Sequence, residues 1–159
     1  MLVPVIRQTL TSSEEADRQL TGHLTPDMDQ VLASLHILTV EDDAMLRLLN
    51  SKLLANLALK VDEASDGSEA LEMLNDSHNL ILTDYFMPNL SGTELIKRLR
   101  ECGYTGPIVG LTAATIGEQQ QEMLDAGADK VLAKPLTAQA FKEVVGELIV
   151  NGRLIKISP

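Results

Sequence analysis

His36-Ile37-Leu38-Thr39-Val40-Glu41-Asp42-Asp43 is a short run of apolar and β-branched residues that ends in three carboxylates. A run of this length with little polar alternation reads as a strand covered on both faces, the habit of a parallel sheet. Working outward, similar runs recur at 59–63, 79–83, 108–111 and 130–133. Each is followed by a stretch with helical spacing. The last is the clearest, with Phe141, Val144, Val145, Leu148 and Ile149 at i, i+3, i+4, i+7 and i+8, one face of a helix. Residues 44–57 place Met45, Leu48, Leu49, Leu53 and Leu57 in the same way. Weaker helical patterns cover 68–75, 92–101 and 117–126. Strands alternating with helices in this way predict an α/β domain, a flavodoxin-like (βα)5 three-layer sandwich with parallel strand order 2-1-3-4-5.

This unit is expected over residues 36–150. Residues 1–35 read as an N-terminal extension with a short helix at about 26–34. Thr25 would cap it and Pro26 would take its first position. Met28, Val31, Leu32 and Leu35 share one face of that helix, which suits either packing on the domain or a homodimer. Asn151-Gly152 stops the last helix, and the tail 151–159 is too short for a second domain, so no output domain is expected.

Composition excludes several classes. The 159 residues are 45 % hydrophobic and 23 % charged, close to an ordinary globular protein. No apolar run approaches the ~18 residues of a membrane span. Acidic residues outnumber basic ones 23 to 13, for a net charge of −10. Phosphate backbones are bound by lysine and arginine, so direct nucleic-acid binding is not expected, and aromatics at 3 % offer few stacking platforms. The single cysteine, Cys102, fits a reducing, cytoplasmic setting. No glycine-rich phosphate loop is present. The three histidines are scattered and show no metal spacing.

In open α/β sheets a site lies beyond the carboxyl ends of the strands. Four polar positions meet that rule. Glu41-Asp42-Asp43 follows the first strand, Asp84 the third, Thr112 the fourth and Lys134 the fifth. Each alone reads as a turn or helix cap. Together they bring like charges into proximity, and two such charges ~4 Å apart repel by ~4 kcal/mol at an effective dielectric near 20. An ammonium and a hard divalent cation such as Mg²⁺ would offset that cost. An aspartate held ionised this way can attack a phosphoryl group to form an acyl phosphate.

The chain resembles the receiver domain of two-component response regulators. The resemblance covers residues 36–150 and rests on several pieces in order. They are Ile37-Leu38-Thr39-Val40-Glu41-Asp42-Asp43, Leu82-Thr83-Asp84-Tyr85-Phe86-Met87-Pro88 with Gly92, Gly110-Leu111-Thr112-Ala113, and Gly127-Ala128-Asp129 leading to Lys134-Pro135. The resemblance implies that Asp84 is the phosphoacceptor. It implies that Asp42 touches Mg²⁺ directly, Glu41 through water, and Phe86 through its backbone carbonyl. Thr112 would be the hydroxyl that swings toward the phosphoryl group, Lys134 would bond a phosphoryl oxygen, and the Lys134–Pro135 peptide would be cis. Asp43 is left as a helix cap.

Two departures stand out. Val131 occupies the position where the family often has an aromatic switch residue. Phe86 and Ala114 replace polar side chains that help aim the hydrolytic water, so the acyl phosphate is expected to be long-lived. The implied function is Mg²⁺-dependent uptake of a phosphoryl group onto Asp84 from a histidine kinase or histidine phosphotransfer domain, with a downstream protein target. Such an acceptor is not a conventional turnover enzyme. Two alternatives stay open: a receiver piece of a hybrid sensor kinase that relays to a histidine phosphotransfer domain, and a non-phosphorylated scaffold using the 26–34 helix.

Overall fold

The computed structural model describes residues 27–57, 59–113 and 117–154. Its elements are α1 (Met28–Ser34), β1 (His36–Val40), α2 (Ala44–Asn56), β2 (Lys60–Ala64), α3 (Gly67–Met73), β3 (Leu80–Asp84), α4 (Gly92–Glu101), β4 (Ile108–Thr112), α5 (Glu118–Ala126), β5 (Lys130–Ala133) and α6 (Ala138–Val150). The five strands form one parallel sheet in the order β2-β1-β3-β4-β5, the flavodoxin-like order predicted.

Alternation along the strands divides the core into two layers. Ile37, Leu80, Leu82, Val109 and Leu111 face α1, α2 and α6, where Leu32, Leu54, Phe141 and Val145 meet them. Leu38, Val40, Ile81 and Ile108 face the other way, onto Ala70 of α3, Leu95, Ile96 and Leu99 of α4, and Met123 of α5. The three central strands β1, β3 and β4 are buried along their whole length. β3 and β4 each run one residue beyond the predicted end, so Asp84 and Thr112 are the last residues of their strands rather than the first of the following loops.

Two flanking helices differ from expectation. α1 is capped by Asp27, whose side chain accepts from Asp29 N; the expected cap Thr25 and Pro26 lie outside the described residues. Its apolar face packs within the chain: Leu32 and Leu35 are buried, and Met28 lies over Gly146 of α6. In α2 the predicted stripe is only half covered. Leu53, Leu54 and Leu57 reach the core, but Met45, Leu46, Leu48 and Leu49 are 64, 37, 48 and 54 % exposed. The first turns of α2 therefore leave their apolar side chains in solvent beside the carboxyl end of the sheet.

Beyond α6, Arg153 pairs with Asp129, and Leu154 is buried in the α6-side core. No described helix is long and apolar enough to cross a membrane.

Candidate functional site

The carboxyl ends of β1, β3 and β5 bring Glu41, Asp84 and Lys134 together. Lys134 Nζ lies 2.7 Å from Asp84 Oδ2 and 3.1 Å from Glu41 Oε2. Glu41 and Asp84 are buried, while Asp42 is exposed at the rim. The three carboxylates each bring an oxygen within 4.8 Å of the others. Asp43 stands outside the cluster as the N-cap of α2, accepting from Leu46 N.

Backbone packing fixes this arrangement. Tyr85 N donates to Leu111 O at 2.9 Å, and Gly92 N donates to Tyr85 O at 2.9 Å. The loop between β3 and α4 thus folds back onto the end of its own strand. A Cβ at position 92 would stand 2.1 Å from the Asp84 carbonyl oxygen, so only glycine permits this approach. On the far side Lys134 N donates to Thr112 O at 2.9 Å, and the Lys134–Pro135 peptide is cis.

The electrostatics are unbalanced. Burial raises the pKa of Glu41; the Asp43 N–H works against this and the Asp84 charge adds to it. Burial alone would lower the pKa of Lys134, but its bonds to Asp84 and Glu41 outweigh that and raise it. Lys134 bonds two of the carboxylates, and the Arg47 guanidinium reaches only main-chain carbonyl oxygen, that of Glu41 at 2.8 Å; three ionised carboxylates would still outnumber these two cations. All three donors are carboxylate oxygens, which suits a hard divalent cation such as Mg²⁺ better than a softer metal. The chemistry of the donor set and the residual charge both fit that ion.

Of the remaining predicted positions, Thr112 is buried at the end of β4, and its hydroxyl donates to Gln119 Oε1 at 2.6 Å. Phe86 is 72 % exposed and meets Tyr85 edge to face. Val131 packs on the α5 side of the core. Ala114 lies outside the described residues.

Three features escaped the sequence reading. A groove of ≈ 450 Å³ lined by Leu46, Leu49, Leu53, Lys134, Pro135 and Leu136 runs from Glu41 along α2. The Tyr85 hydroxyl donates to Glu122 of α5. His36 and His78, scattered in sequence, converge on Asp62 Oδ2 at 2.7 and 2.8 Å. In that last cluster Asn75 N–H donates to His78 Nδ1. The His78 proton therefore sits on Nε2 and points at Asp62, the reverse of what a metal ligand needs. Hydrogen bonding alone accounts for the cluster.

The response regulator receiver domain family matches residues 37–146. The chain is 34 % identical over 137 residues to the sensor histidine kinase RcsC of Salmonella typhi, covering 84 % of this chain and 14 % of that protein. It is 35 % identical over 147 residues to the sensor protein EvgS of Escherichia coli K12, covering 92 % of this chain and 12 % of that protein. It thus spans about one-seventh or less of these curated relatives. Among solved structures it is similar to the chemotaxis response regulator CheY4 of Vibrio cholerae, at 29 % identity and a TM-score of 0.66, over 72 % of this chain and 98 % of that one.

Proposed function

The chain belongs to the response regulator receiver family, and from that premise we propose that Asp84 takes a phosphoryl group from a phosphohistidine of a histidine kinase or histidine phosphotransfer domain. The observation that carries this reading is the Lys134 ammonium shared between Asp84 and Glu41, in a cluster of three carboxylates. An Asp84 carboxylate oxygen attacks phosphorus as the P–N bond to the donor imidazole breaks, and the imidazole leaves with the bonding pair. Lys134 is placed to shift from the Asp84 carboxylate to a phosphoryl oxygen. Glu41, Asp42 and Asp84, with the Phe86 carbonyl, would hold Mg²⁺. When bound, that ion draws negative charge off the transferring phosphoryl oxygens.

The test is exposure of the chain to acetyl phosphate and to a phosphohistidine donor, with Mg²⁺ present. Intact mass should show one phosphoryl group gained, and none on Asp84→Asn. A wild-type chain that gains none from either donor overturns the reading. Phe86 brings no polar side chain toward a hydrolytic water, so the phosphorylated form should survive for minutes or longer; a half-life of seconds overturns that part.

A relay role, with Asp84 passing the group on to a histidine phosphotransfer domain, is favoured by two observations. The sensor proteins that match the chain carry the matching region as a small share of their length. The exposed Met45, Leu46, Leu48 and Leu49 and the groove beside Lys134 offer a partner an apolar seat next to Asp84. Loss of label from the phosphorylated chain to an added phosphotransfer domain supports relay; retention supports a terminal switch. The scaffold alternative is less favoured, because Leu32 and Leu35 are buried within the chain and Met28 and Val31 are partly buried against the same core.

A further inference from the structure

The Thr112 hydroxyl has an acceptor on the side of the sheet away from Lys134. Side chains alternate along a strand. Asp84 shares parity with Leu80 and Leu82, which face α2 and α6. Thr112 shares parity with Ile108, which faces α4 and α5. On that side Gln119, in the first turn of α5, accepts from Thr112 Oγ1 at 2.6 Å. One turn on, Glu122 of the same helix accepts from the hydroxyl of Tyr85, the residue after Asp84. Residues three apart lie on one face of a helix. Two side chains from the site thus grip a single face of α5.

The anchoring of α5 is uneven. Its N-cap is Gly117, with φ 34° and no side-chain cap bond. Its far half is held by buried Met123 and Ala126. Met123 sits directly on β4, where a Cβ at Gly110 would come within 2.5 Å of its sulfur. Among the described residues, the buried side chains of α5 lie in the half away from Gln119.

A hydroxyl carries one proton. It can be given to Gln119 or to a phosphoryl oxygen on Asp84, but not to both. Resting on the phosphoacceptor reading above, we propose that Gln119 is a positioning residue that competes for the Thr112 hydroxyl, so that phosphorylation takes the hydroxyl away and loosens the first turns of α5. The signal leaves through Thr112, Gln119 and α5, a route that needs no aromatic ring at Val131.

Beryllofluoride with Mg²⁺ stands in for the acyl phosphate and can be titrated against the full chain, Gln119→Leu and Gln119→Glu. Amide hydrogen exchange over residues 118–126 is followed alongside. Leucine keeps the bulk but accepts no hydrogen bond. Gln119→Leu should lower the half-saturating concentration about five-fold, the factor one neutral hydrogen bond contributes. It should also raise α5 exchange before ligand is added and lose most of the rise caused by ligand. Gln119→Glu keeps an acceptor and should preserve that rise. If Gln119→Leu binds with wild-type affinity and shows the wild-type rise, the competition is overturned while the phosphoacceptor reading stands. If the wild-type chain binds no beryllofluoride, that reading fails and the competition with it.

Discussion

The two ends of the sheet carry similar residues and treat them oppositely. Toward the amino end Asp62 and Asp129 are each surrounded by donors. Asp62 takes the Nε2 of both His36 and His78 on one oxygen. Asp129 takes Arg100 at 3.1 Å, the Ile108 N–H at 2.9 Å, and Arg153. At the carboxyl end Glu41 and Asp84 share one ammonium, with the Asp42 carboxylate beside them. Asp62 and Asp129 are satisfied within the chain, the first by hydrogen bonds from imidazoles and the second by two guanidinium groups. Charge at the carboxyl end is left over, and leftover charge of one sign in a concave, half-buried place is what a ligand settles. Substitutions should therefore separate the two ends cleanly, one set changing chemistry and the other stability.

The largest separation is in chemistry. Asp84→Asn should abolish phosphoryl uptake, whereas Asp62→Ala should leave its rate within about two-fold, since hydrogen-bond changes away from a site and sharing no partner with it are usually independent of it. Radiolabel uptake from acetyl phosphate measures both. Uptake by Asp84→Asn, or loss of it in Asp62→Ala, breaks the comparison.

Stability should show the reverse. Asp62→Ala leaves two buried imidazoles without their acceptor and should cost about 2 kcal/mol in urea unfolding, within the range for stranded buried donors. Asp84→Asn removes one like charge from the cluster and leaves Lys134 paired with Glu41. It should change stability by less than about 1 kcal/mol, toward the stable side. A large loss in Asp84→Asn would mean that the Asp84–Lys134 pair holds the fold.

What could be read from sequence follows the same division. The strands were legible because central parallel strands bury both faces and so read as apolar runs. The carboxyl-end residues were legible because each ends such a run, where topology places a site. The misses have physical causes. Periodicity shows that Met45, Leu48 and Leu49 share a face but not whether anything covers it, and the structure leaves them exposed. The convergence of His36, Asp62 and His78 depends on β1 lying between β2 and β3, so no local spacing announces it. Gln119 and Glu122 sit in a polar stretch, Glu118-Gln119-Gln120-Gln121-Glu122, where nothing marks the two that touch the site. The stretch just after α6 gave no pattern, yet Arg153 pairs with Asp129 and Leu154 is buried.

A smaller effect tests the surplus charge itself. Ligand at ten times its dissociation constant stabilises a folded chain by about 1.4 kcal/mol. Mg²⁺ at that level should raise the unfolding free energy of the wild type by this amount, and that of Asp62→Ala equally. Asp42→Asn should need several-fold more Mg²⁺ for the same gain. An equal response in all three would mean that the ion binds elsewhere.

The smallest effect comes from the pH dependence of the amino end. The hydrogen bond from His78, chiefly, lowers the Asp62 pKa from its ordinary 3.8, with His36 adding to it against a burial effect of opposite sign. A carboxylate with a depressed folded-state pKa favours the fold above its unfolded value, and that contribution is lost as pH falls through the folded value. Relative to Asp62→Asn, which cannot ionise, the wild type should hold a constant stability advantage above pH 3.8. The advantage should shrink steadily as the pH drops further. Urea melts of both chains at stepped pH give the difference directly and cancel the titration of every other carboxylate. An advantage that persists undiminished at the lowest pH where both chains still fold would mean that Asp62 holds the two imidazoles without its charge, and the amino end would then be neutral rather than balanced.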